Sequence, residues 1–110
     1  MAYDENLAAR IRRGLAKKRG ITEKKMFGSV GFLLKGNLLV GVWKQSLVGR
    51  LGPGEGAKAL AEPYVRPFDI TGKAMKGWVL VDPAGFVTDA ELQAWLDRAF
   101  AFVKSLPAKD

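Results

Sequence analysis

Leu7, Ala8, Ile11 and Leu15 recur at the spacing of one helical face, about 100° per residue. Asp4 is placed to cap that helix and Gly20 to stop it. Arg10, Arg13 and Lys17 fall on another face, so the helix should dock its apolar stripe and turn these cations to water. From about Lys25 to Lys35 the period shortens to two, with Met26, Val30, Phe32 and Leu34 on one side. Gly36-Asn37 reads as a tight hairpin turn, because both residues accept positive φ. A second strand, Leu38 to Trp43, alternates Leu38, Val40 and Val42 against Leu39, Gly41 and Trp43. Lys44-Gln45-Ser46 closes another hairpin onto a third strand, Leu47 to Leu51. Gly52-Pro53-Gly54 ends this meander, and a short helix is predicted over Glu55 to Ala61.

Residues 62–76 hold Pro63, Pro67 and Gly72 and read as loop, with a short strand at Phe68-Asp69-Ile70. Gly77 to Val81 is a strand. Thr88 and Glu91 have the spacing of a capping box before a last helix. Leu92, Trp95, Leu96, Ala99, Val103 and Leu106 give that helix a wide apolar face, and Pro107 ends it. The order predicts a two-layer α+β domain over residues 1–110, with helices packed on an antiparallel sheet of four to five strands. One tension stands out. The first two strands are apolar on both sides, with Phe27, Leu33, Leu39 and Trp43 opposing Met26, Phe32 and Val40. Either helices cover part of both faces, or an apolar patch near Leu33, Leu39 and Trp43 is left for a partner or for self-association.

Charge sharpens the picture. The 110 residues carry a net charge of +7, and residues 10–25 hold eight basic residues against Glu23 alone. The remaining ten basic residues are matched by ten acidic ones. So local an excess suits nucleic acid, an acidic protein face or a membrane surface, although cations at a helix C-terminus also offset its dipole. Met1 to Glu5 shows no signal-peptide pattern, and the most apolar window, Gly31 to Trp43, is broken by Lys35, Gly36 and Asn37. A cytoplasmic protein without membrane contact is expected.

There is no cysteine and no histidine. This removes the thiol nucleophile, the commonest general base and the commonest metal ligand. The glycine-rich stretch Arg50 to Lys58 lacks P-loop spacing and reads as a strand-to-helix turn. Most carboxylates sit at helix starts or turns, Asp69 being the least explained. Trp95 belongs to the core. Trp43 and Trp78 lie beside Lys44 and Lys76, where they either cap the sheet or serve as stacking anchors.

Thr22-Glu23-Lys24-Lys25-Met26-Phe27-Gly28 resembles the lysine-lysine-methionine-phenylalanine-glycine-glycine motif of the TfoX (Sxy) N-terminal domain family. The likeness continues through Gly36-Asn37, Gly41-Val42, Gly52-Pro53, Met75-Lys76-Gly77 and Val81-Asp82-Pro83, and departs at Ser29, where the family carries a second glycine. The resemblance implies an α+β fold and a part in controlling DNA-transformation competence or transcription. That part would run through protein contacts, including with the cyclic-AMP receptor protein. The resemblance implies that full-length family members carry a second, helical C-terminal domain besides the part resembled here. The resemblance supplies no catalytic residues.

A non-enzymatic regulatory domain with a protein partner is therefore expected, without catalytic, cofactor or metal residues. The partner would be a transcription regulator or a second copy. Arg10, Arg13, Lys17, Lys24, Lys25, Leu39 and Trp43 are the candidate contact residues. The alternatives are sequence-nonspecific nucleic-acid binding through the basic first helix, and a small-molecule or enzymatic site near Asp69, Lys73 and Lys76.

Overall fold

The computed structural model describes residues 4–26, 29–69 and 75–108, Met26 by its backbone alone. Helix α1 spans Glu5–Gly14, and Asp4 caps it, its side chain accepting from the backbone N–H of Asn6 and Leu7. The helix stops at Gly14 with Leu15 as its cap, six residues before Gly20. Gly20, at φ 81°, instead turns the chain into a strand.

The strands are β1 (Ile21–Met26), β2 (Ser29–Leu34), β3 (Asn37–Trp43), β4 (Ser46–Arg50), β5 (Val65–Pro67) and β6 (Trp78–Val81). Helix α2 (Pro53–Ala59) follows β4, and a 3-10 turn (Pro83–Phe86) leads into helix α3 (Asp89–Val103). All pairings are antiparallel, in the order β1-β2-β3-β4-β6-β5. The sheet thus has six strands, not four to five. The added strand is β1, whose sequence Ile-Thr-Glu-Lys-Lys-Met lacks apolar alternation because it lies at an edge. The strand expected at Phe68 to Ile70 is displaced to Val65–Pro67, and Ile70 lies outside the described residues. The hairpin between β2 and β3 turns on Lys35 (φ 51°) and Gly36 (φ 86°), one residue earlier than the Gly36-Asn37 reading. Helix α2 begins earlier too, since Pro53 sits at its first turn, where its missing N–H costs nothing.

Directly paired residues share a face. One row runs Val30, Val42, Leu47, Val81, Val65 across β2 to β5, and the next runs Phe32, Val40, Gly49, Val79, Pro67. Apart from Pro67, which is exposed, the apolar members of these rows pack with Leu7, Ile11, Leu92, Leu96 and Ala99 of α1 and α3 in one core. The capping box of Thr88 and Glu91 fixes where α3 starts. Trp95 on α3 is buried, and its Nε1 donates to the carbonyl of Gly85 at 3.1 Å.

A bulge resolves part of the two-faced apolar pattern. Phe32 pairs with Val40 but Leu33 with Leu38, so Leu39 is skipped. Leu39 is 0% exposed and belongs to the core, which removes it from the candidate contact surface. The expected alternation breaks at this residue. Val48 and Leu80 are also buried, at 6% and 2% exposure, yet they lie outside that core, on the opposite face.

Candidate functional site: the open face of the sheet

The face turned away from α1 and α3 is built around a single cross-strand row. Lys24 pairs with Gly31, Gly31 with Gly41, Gly41 with Val48, Val48 with Leu80, and Leu80 with Arg66. Cations thus stand at both edges of the row, and its middle is glycine and aliphatic. Two glycines side by side leave a floor of bare backbone. The floor is closed to larger residues at Gly41, where an added Cβ would sit 3.0 Å from the Val30 carbonyl oxygen. Over this floor lies a groove of about 210 Å³, with Leu38, Trp43 and Phe68 as its walls. Its lining is nearly all apolar, Ser29 being the exception.

The groove has a polar frame. Lys44 carries its Nζ 5.8 Å from the Trp43 ring centroid. Phe68 and Trp78 lie with ring centroids 5.9 Å apart, and the Arg50 guanidinium stands 5.2 Å from the Trp78 ring. Asp82 accepts from Arg66 Nη2 at 2.8 Å and from Ser46 Oγ at 3.1 Å. The Arg66 hydrogen bonds hold the Asp82 carboxyl below its ordinary range, with Ser46 adding to the effect, and Arg66 itself is raised. Lys24 and Lys44 make no ion pair among the described residues.

The candidate contact residues divide between the two sides of the molecule. Lys24 and Trp43 come together on the open face. Lys25 pairs with Val30 and so lies on the helix-bearing side, next to Glu23. Arg10 is only 16% exposed and is tied to Asp89 and to the carbonyl of Phe86. Arg13 and Lys17 are exposed. Arg13 borders a second cavity, of about 200 Å³, between α1 and α3, which Asp89, the ion-pair partner of Arg10, also lines. An anion there would meet the Asp89 carboxylate.

Arg50 to Lys58 is the end of β4 and α2, and Glu55 of this stretch pairs with Lys58 and Arg98. Among the described residues no three His, Cys, Asp or Glu side chains are grouped so as to hold a metal ion. Lys73 of the proposed small-molecule site lies outside the described residues. Among the described residues no helix is long and apolar enough to cross a membrane.

The family model that fits this chain is the TfoX N-terminal domain, matched over residues 13–103. The chain belongs to the TfoX N-terminal domain family. No curated protein and no solved structure matches it. The matched span of the TfoX N-terminal domain takes in the whole sheet and both later helices, so every residue of the open-face row lies inside it. Most of α1, including Arg10 and Arg12, precedes it.

Sequence reading missed Gly31, Gly41, Val48 and Phe68 as members of this site. Gly31 and Gly41 were visible only as strand glycines, which mark a bulge or a close approach. The bulge at Leu39 brings them into register, and no sequence pattern announces it.

Proposed function

We propose that this TfoX N-terminal domain is a non-enzymatic regulatory module in the control of competence or transcription, and that it acts by protein contact through the open face of its sheet. The observation that carries this reading is the row from Lys24 to Arg66, with an apolar groove over Gly31 and Gly41. A sheet face left without helices normally turns polar side chains to water. Here its centre is glycine and aliphatic, flanked by half-buried aromatic residues, which is the composition of an interface centre with a charged rim.

The test is affinity capture from the native cell with the intact chain, compared with Leu38→Glu and with Arg13→Glu/Lys17→Glu. Each capture is run at low and physiological salt and after nuclease treatment. A specific protein retained by the wild type and by the Arg13/Lys17 variant, and lost with Leu38→Glu, supports the reading. Capture that needs Arg13 and Lys17 and disappears with nuclease would replace it with nucleic-acid binding through the first helix.

A further inference from the structure

The open-face groove is too small for most ligands and too dry for some. Its volume of about 210 Å³ falls below the roughly 300–1,000 Å³ of pockets that enclose drug-sized molecules and cofactors. It has room for one large side chain. A nucleobase pressed between Trp43 and Phe68 would stack well, but its hydrogen-bonding edge would meet aliphatic walls and lose its partners. An apolar side chain loses nothing on the same walls.

The surroundings of the groove select the charge of whatever carries that side chain. Lys24 is one strand away from the Gly31 floor, about 4.8 Å in the pairing direction. Lys44 stands over Trp43, the opposite wall. Neither cation is neutralised among the described residues, whereas the carboxylate of Asp82 is tied to Arg66 and Ser46, and that of Asp69, next to Phe68, acts on the same Arg66. The field at the rim is therefore positive and available.

From this we infer that the groove is the receptor for a single aromatic or large aliphatic side chain presented by an acidic protein segment. The anchor lies over Gly31 and Gly41 between Trp43 and Phe68, and flanking carboxylates reach Lys24 and Lys44. This inference rests on the reading that the open face is the contact surface, and it adds the chemistry of the partner. The anchor supplies the affinity, and the two lysines set the orientation and speed the encounter.

Three synthetic peptides test it: a phenylalanine flanked on each side by two glutamates and an aspartate, the same peptide with alanine at the centre, and the same peptide with lysines as flanks. Binding to the intact chain is followed by amide chemical shifts of Gly31, Gly41 and Val48. The acidic phenylalanine peptide should move those amides. The alanine peptide should bind at least about tenfold more weakly, as expected for loss of a large buried apolar group. The lysine-flanked peptide should not bind. Lys24→Glu should weaken the acidic peptide by about threefold to fivefold at low salt, and less at high salt. Lys25→Glu, on the opposite side of the same strand, should leave its binding unchanged. Equal binding of the alanine peptide would overturn the anchor, and tighter binding of an oligothymidylate at the same amides would overturn the protein partner. If no peptide binds while capture from the cell is still lost with Leu38→Glu, the contact surface stands and the partner chemistry proposed here is wrong. If the capture is unaffected as well, the surface reading itself fails.

Discussion

Arg10 and Phe86, 76 residues apart in the chain, meet through a hydrogen bond of 2.9 Å from the guanidinium Nη2 to the carbonyl oxygen. The same side chain donates to Val87 O at 3.4 Å, pairs with Asp89 at 3.3 Å and stands 5.8 Å from the Phe86 ring. It joins α1 to the segment that starts α3. Its cation faces the carbonyls that close the 3-10 turn, where a partner protein would not find it.

Arg10→Ala should therefore cost about 1.5–3 kcal/mol, the range for hydrogen bonds to a charged group. Arg10→Lys should recover only part of this, because an ammonium cannot span the two carbonyls and Asp89 in one plane. Urea unfolding of both variants checks the claim. A change within about 0.5 kcal/mol for Arg10→Ala would place the residue among ordinary surface cations.

Two glycines of α2 should respond to alanine with opposite signs. At Gly56 an added Cβ would sit 2.9 Å from the Cα of Gly77, whose φ of 88° holds the turn before β6. Backbone on both sides cannot yield, so Gly56→Ala should destabilise by about 1–3 kcal/mol. At Gly54 an added Cβ meets nothing within 4 Å. Gly54→Ala should be neutral or stabilising by up to about 1 kcal/mol through helix propensity. Thermal melts of the pair decide it, and destabilisation of equal size at both positions would refute the close-approach argument.

These contrasts show what the chain makes legible and what it hides. The stripe Leu92, Trp95, Leu96, Ala99, Val103 and the Thr88–Glu91 box read directly as α3, because helix signals are local. Leu7, Ile11 and Leu15 read as the docking face of α1 for the same reason. The sheet was legible only where strands alternate. Strand β1 buries no regular apolar face, so the alternation begins only at about Lys25 and leaves Ile21 to Lys24 without a strand signal. A plain hairpin about the Lys35-Gly36 turn would set Gly31 against Val40. The unpaired Leu39 shifts the register by one, and only then does Gly31 face Gly41. The groove is a product of that bulge. Its Phe68 wall comes from a distant loop, which no local pattern could assign to the site.

Stability should fall on acidification, through Asp82 and Glu23. Arg66 hydrogen bonds depress Asp82 from its ordinary 3.8, and Arg12 hydrogen bonds depress Glu23 from 4.5. A depressed carboxyl contributes stability that is complete above its unfolded value and is lost as pH falls through its folded value. The loss should begin near pH 4.5 for Glu23 and near pH 3.8 for Asp82, and continue below. Asp82→Asn should be less stable than the wild type at neutral pH and should lose less between about pH 5 and pH 3. Because both pairs are partly exposed, the difference should shrink in high salt. Urea midpoints across that range check it, and parallel curves for variant and wild type would show that Asp82 does not contribute.

The basic segment of α1 and the turn after it, Arg10 to Arg19, offers less to nucleic acid than its composition implies. Arg10 is held by Phe86 and Asp89, Arg12 by Glu23 through two bonds of 2.8 Å, and Lys18 lies 3.8 Å from Asp97 and 4.2 Å from the Phe100 ring. Arg13, Lys17 and Arg19 are the exposed cations of this segment that make no ion pair among the described residues. Three phosphate contacts would give a log–log salt slope near −2.7 for duplex DNA, well short of the six to ten contacts behind strong salt dependence. Duplex DNA binding by this chain should therefore be weak and insensitive to sequence, and Arg13→Ala/Lys17→Ala should flatten the slope by roughly two units. The double variant should keep its stability within about 0.5 kcal/mol, since neither side chain is engaged in the fold. Fluorescence anisotropy on a labelled duplex across a salt series checks each point. A slope steeper than about −5 would mean that cations beyond this segment join the contact, and Lys24 and Lys44 of the open face would be the first to substitute.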